Sequence, residues 1–157
     1  MTSLKYEKIY SDFLGNIKDP TLANLEKNDA YELLSEYLHK SLAKPTITAL
    51  FKNFSINDEV QTFSYELKSV DNEDTDKYFV QNVLGKAMAI EWLEPKVNNN
   101  TQISQLFTNK EQQFYSQSSH LSENAKLLES NKIELKKLIR DRGYICNGYI
   151  NPDGGNS

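Results

Sequence analysis

Two histidines, one cysteine and two sets of carboxylates are the residues in this 157-residue chain whose types and spacing invite a chemical reading. His39 follows Glu36 by three positions and His120 precedes Glu123 by three. Zinc takes three or four converging protein ligands, and no Cys/His cluster completes a set around either histidine. Both are therefore expected to be structural or solvated. Cys146 with His39 or His120 would make a nucleophile and base only if the fold brought them together, and nothing in their spacing does so. As the single cysteine, Cys146 cannot form an intrachain disulfide, which suits synthesis in a reducing cytosol and leaves the sequons at Asn53 and Asn99 idle.

The acidic run VDNEDTD, Val70 to Asp76, has the look of a calcium loop. Counted from Asp71 it fails on two counts: position six is Asp76 rather than the turn-making glycine, and position twelve, Asn82, is no bidentate carboxylate. Glu91 and Glu94 flank Trp92 just before Pro95, on one side of a helix, where a pair of carboxylates can share acid and base roles. No further catalytic partner accompanies them. The six glycines are scattered, with no phosphate-cradling loop. No enzyme activity, cofactor or metal is expected.

Lys132, Lys136, Lys137, Arg140 and Arg142 form a basic strip. Cations near a helix end complement its negative terminus, and that reading outweighs contact with passing nucleic acid. A net charge of −4 and a pI near 5.3 argue against a general nucleic-acid or anionic-membrane binder. MTSLKYEKIY has no apolar signal region, and Lys86 interrupts the longest apolar run, so neither secretion by a signal peptide nor a membrane span is expected. Nine Tyr, seven Phe and one Trp supply core area for a chain only 38% hydrophobic.

These residues need elements to hold them. Ser3 is expected to cap a first helix with Tyr6, Ile9, Tyr10, Phe13, Leu14 and Ile17 on one stripe, ended by Asp19-Pro20. Asn28 or Asp29 caps a second helix, with Leu33, Leu34, Tyr37, Leu38 and Leu42 inward and Pro45 as its stop. Between 46 and 69 the period becomes two, with Phe63, Tyr65 and Leu67 on one side, and TITALF is the expected partner strand across NFSINDE. The acidic run then opens a helix through Val80, Val83, Leu84, Ala87 and Met88. Pro95 should end or kink it, and Trp92 should pack on the C-terminal helix with its indole N–H on an acceptor. Thr101 is expected to cap a short turn of helix through Phe107.

Thr108 to Glu111 reads as a capping box, and Phe114, Ser118, Leu121, Ala125, Leu128, Lys132, Leu135 and Ile139 mark one helix from about Asn109 to Arg142. At 1.5 Å per residue it would span about 50 Å, more than a core of this size needs, so part of it should meet another subunit. Gly143 marks its stop. The expectation is a mainly α protein: one helical domain over 1–142, a long C-terminal helix, a small extended or hairpin segment around 46–69, and a flexible docking tail over 143–157.

YEKIYSDFLGNI (Tyr6 to Ile17), MAIEWLEPKVN (Met88 to Asn98), KEQQFYSQSSHL (Lys110 to Leu121) and IELKKLIRDRGY (Ile133 to Tyr144) together resemble the head–tail connector, or neck, proteins of tailed bacteriophages of Gram-positive hosts. The resemblance implies a virion protein made in the host cytoplasm and built into a homo-oligomeric ring of about twelve-fold symmetry between portal and tail. Its partners would be further copies of itself, the portal protein, stopper or tail proteins, and DNA passing without sequence preference. On that reading Tyr144, Ile145, Tyr149 and Ile150 touch the portal or a neighbour. Lys132, Lys136, Lys137 and Arg140 face the channel, and Trp92 with Pro95 forms a structural corner. A stopper or tail-completion protein of the same virion, or a cytosolic helical partner-binding module, are the alternatives.

Overall fold

The computed structural model of the protein describes residues 1–17, 27–106 and 111–145. Five helices and a three-stranded antiparallel sheet make up the described chain, which is mostly helical. The chain begins with β1 (Thr2–Lys5), enters α1 (Tyr6–Ile17) and α2 (Lys27–Leu42), and makes the short α3 (Pro45–Thr48). A hairpin of β2 (Phe51–Asn57) and β3 (Thr62–Leu67) follows, then α4 (Glu73–Leu106) and α5 (Glu111–Ile145). Sheet order is β1-β3-β2.

Ser3 does not cap α1. It lies in β1, opposite Ser64 of β3, and the two hydroxyl oxygens are 3.0 Å apart. Pairing to β3 outweighs a local cap because β1 seats Leu4 beside Phe63 in the core. The expected stripe of α1 is buried at Tyr6, Ile9, Tyr10, Phe13 and Ile17, whereas Leu14 is exposed. α2 is already helical at Lys27, so neither Asn28 nor Asp29 stands outside it as a cap. It ends at Leu42, and Pro45 opens α3, where its fixed φ and missing N–H cost nothing.

TITALF is therefore mostly helix and turn, and the partner of β3 is the following segment, FKNFSIN. Phe51, Phe54, Phe63 and Tyr65 gather there, with Phe51 and Phe63 ring centroids 5.5 Å apart and nearly perpendicular. The period-two side of β3 is as expected: Phe63, Tyr65 and Leu67 are buried. At the turn Gln61 takes φ 51°, and its carbonyl accepts the N–H of Tyr6.

α4 passes through Pro95 without ending and continues beyond the expected cap at Thr101 to Leu106. A proline inside a helix removes one backbone bond and costs about 3 kcal/mol. Val80, Val83, Leu84, Met88, Trp92 and Leu93, all buried, offset that cost in the preceding turns. α4 packs chiefly on α5 and α1. On α5, Leu128 is buried and Leu135 packs on the core, as the seam predicts, while the side chains of Phe114, Ser118 and Leu121 lie outside the described residues. Gly143 does not stop α5, which runs on to Ile145. The expected helix stop at Asp19-Pro20, the capping residues Thr108 to Lys110 and the tail from Cys146 also lie outside the described residues.

Candidate functional site

The strongest polar arrangement joins the two ends that the sequence left apart. Asn72 caps α4, its Oδ1 accepting the Thr75 N–H at 2.9 Å, and Glu73, Asp74 and Asp76 fill the positive first turn. Asp76 is buried, accepts the Asp71 N–H through both carboxylate oxygens, and is ion-paired with Arg142 of α5. Arg142 also donates to the Ser69 carbonyl at 2.9 Å and lies 4.9 Å over the Phe79 ring. Arg142 thus leaves the basic strip altogether, because the charge it faces inside the fold is stronger than solvent competition at a helix end.

Beside this pair lies a cavity of about 430 Å³, bounded by Thr2, Tyr65, Leu67, Val70, Glu73 and Asp76. Two buried polar groups at this corner have no hydrogen-bond partner among the described residues: the Tyr65 hydroxyl and Arg142 Nε. Burial, reinforced by the Asp76 and Glu73 charges, pushes the Tyr65 phenol up to about 12. It is therefore a neutral hydroxyl at neutral pH. Of the expected tail contacts, Tyr144 is half exposed on the last turn of α5, next to this corner in sequence. The side chains of Ile145, Tyr149 and Ile150 lie outside the described residues.

The rest of the basic strip divides. Lys132 pairs with Glu94 at 3.0 Å, Arg140 lies 3.4 Å from Asp141, and Lys136 and Lys137 are exposed. Glu91 pairs with Lys44 at 3.0 Å, so the two carboxylates around Trp92 serve two different lysines rather than one reaction centre. Trp92 is buried against Phe13 of α1 and Tyr37 of α2, with centroids at 6.0 and 5.1 Å, and Lys96 Nζ lies 4.4 Å over its ring. The aromatic partners of the Trp92 ring among the described residues thus lie on α1 and α2. Its Nε1 finds no acceptor among the described residues.

His39 pairs with Asp58 in the β2–β3 turn, 3.0 Å away, with both side chains about half exposed. Tyr6 donates its hydroxyl to the same carboxylate at 2.7 Å, and that bond holds Asp58 below the usual carboxylate range. The three groups tie α1, α2 and the hairpin together. The side chain of His120, and Cys146, lie outside the described residues. Among the described residues no group of three or more His, Cys, Asp or Glu is placed to hold a metal, and no helix is long and apolar enough to cross a membrane.

Sequence reasoning missed three positioning residues. Asn131 is buried on α5 and donates to the Leu127 carbonyl at 2.8 Å and to the Asn16 carbonyl at 3.3 Å. Lys86 bridges Glu134 at 2.6 Å and Asn16 at 3.4 Å. Gly85 lets α4 approach Asp12 so closely that an added Cβ would lie 2.6 Å from its Oδ1. Polar residues on an otherwise apolar seam were the available signal for Asn131 and Arg142. No protein-family model, curated protein or solved structure matches the chain.

Proposed function

We propose that the chain is a non-enzymatic structural subunit of a tailed-phage virion, a head–tail connector of the adaptor type that forms a ring between portal and tail. The observation that carries this reading is the α4–α5 pair: helices of 34 and 35 residues, with α4 continuing to Leu106, past Leu93, its last fully buried side chain among the described residues, and past Val97, which packs on the core. Helix beyond the core has its packing surface to spend on a neighbouring copy, and a head-to-tail contact of that kind closes into rings. The segment resemblance supplies the virion context. Exposed Tyr78, Ile133 and Tyr144 add apolar contact area outside the core. In a ring, Lys136, Lys137 and Arg140 are the cations of the strip that no described carboxylate buries, and they suit a loose, salt-sensitive brush against passing DNA.

The segment from Cys146 follows a helix end fixed by Arg142, an anchorage that suits a docking arm. Removing Asn147 to Ser157 should keep the helical fold and weaken attachment to the portal. Imaging of the purified protein with and without portal tests the whole reading: rings are expected, and a chain that stays monomeric under both conditions overturns it. A stopper or tail-completion role in the same virion is separated from the adaptor role by the chain's position in the imaged particle. A partner-binding module acting outside a particle is a further reading, favoured by the cavity at Tyr65. It predicts a stable monomer or dimer absent from purified virions.

A further inference from the structure

α5 is the longest helix of the chain, yet among the described residues Leu128 is its one fully buried apolar side chain. α1, at 12 residues, buries Tyr6, Ile9, Tyr10, Phe13 and Ile17. On α5, Leu127, Leu135 and Leu138 lie partly buried against the core, and the remaining enclosed positions are polar, Asn131 and Arg142. The buried polar or charged residues described are Ser41, Asp76, Asn131 and Arg142. All of these except Ser41 sit where α5 meets α1 and α4.

Charge and hydrogen bonding carry much of the attachment. Arg142 holds Asp76 and the Ser69 carbonyl, Lys86 meets Glu134 at 2.6 Å, Lys132 meets Glu94 at 3.0 Å, and Asn131 donates to the Asn16 carbonyl at 3.3 Å. An apolar interface that parts must put its whole area into water. A polar one regains hydration for each group it releases: a buried ion pair gains little over two solvated ions, and a half-exposed pair gains less. The core does not depend on α5 for closure, because β1, α1, α2, α3, the hairpin and α4 supply its whole run of buried apolar side chains from Leu4 to Leu93. Detached, a lone helix of this length is marginal in water and opens its own hydrogen bonds.

We infer that α5 is a releasable strap, which lifts from α1 and α4 as one unit while the rest of the described fold stays closed. Its release frees Lys132 from Glu94 and Arg142 from Asp76, so the same motion assembles the basic strip with Lys136, Lys137 and Arg140. The inference does not rest on the connector reading.

The test is native-state amide hydrogen exchange on the full chain, in low concentrations of urea and at two ionic strengths. The amides between Ala125 and Arg140 should share one opening, about 100-fold or more faster than exchange at Ile9, Phe13, Val83 and Leu84, and with a weaker dependence on urea because little apolar area is exposed. Raising salt from about 0.05 to about 0.5 M should speed α5 exchange about threefold or more and leave the core amides within about twofold, since the half-exposed pairs are screened. Asn131→Leu, and separately Asp76→Leu with Arg142→Met, make the seam apolar and should each slow α5 exchange about tenfold, towards the core rate. Exchange of α5 at the rate and urea dependence of the core, rates that grade along the helix as simple fraying gives, or wild-type exchange in both variants would each overturn the strap.

Discussion

Arg142, near the end of α5, is held on Asp76 in the first turn of α4, and that one pair closes the long helix hairpin at the end where the tail departs. Both side chains are 8% exposed. Removing one partner of such a pair strands a buried charge. Arg142→Ala should therefore cost about 3–5 kcal/mol in urea unfolding. Replacing both together, Asp76→Leu with Arg142→Met, should recover most of that loss, because the penalty comes from the orphaned charge rather than from the missing attraction. The thermodynamic cycle of the two singles and the double measures it.

Gly85 is the contact point of α4 on α1. A methyl group there meets the Cβ of Asp12 at 2.8 Å as well as its carboxylate, so the neighbour cannot rotate clear. Gly85→Ala gains about 1 kcal/mol of helix propensity and loses about 1–3 kcal/mol to overpacking. A net loss of about 1 kcal/mol is expected in chemical unfolding. A gain would show that the two helices have room to separate.

Trp92 fills the space between α1 and α2, and Trp92→Ala should cost about 3–5 kcal/mol. Its indole N–H has no acceptor among the described residues, so Trp92→Phe should lose far less than its change in volume alone suggests. Pro95, exposed in the middle of α4, makes the opposite prediction. Pro95→Ala restores the missing backbone donor and should stabilise the monomer by about 1–3 kcal/mol, read as a higher urea midpoint.

Tyr65 sets an alkaline limit. Its phenol is raised from about 10 to about 12, so its contribution to stability is fully present below pH 10 and is lost as pH rises through 12. Tyr6 and Tyr10 shift in the same direction, again chiefly through burial. Tyrosinate absorbance should therefore rise in two stages, exposed tyrosines first and these buried ones together with unfolding. Tyr65→Phe should flatten the second stage. A single ionisation step near pH 10 for all nine tyrosines would refute it.

Helices were the legible part of the fold because one apolar stripe at a 3.6-residue period specifies both the element and its inward face. Tyr6, Ile9, Phe13 and Ile17 on α1 show it directly. The sheet was half legible. Alternation in Phe63, Tyr65 and Leu67 marked β3, but strand pairing is decided by distant residues, so Ser3 of β1 read as a helix cap and TITALF, Thr46 to Phe51, as a strand.

Mainly helical character, the core side of each long helix and the acidic start of α4 follow from local sequence, since propensity, periodicity and helix-end electrostatics act over a few residues. Tertiary structure alone decided that α4 survives Pro95, that Trp92 faces Phe13 and Tyr37, and that Arg142 leaves the basic strip for Asp76. It alone also brought Asn131 of α5 onto the Asn16 carbonyl of α1. In each case the deciding energy comes from contacts between residues far apart in the chain, whose burial outweighs local preferences of about 1–3 kcal/mol.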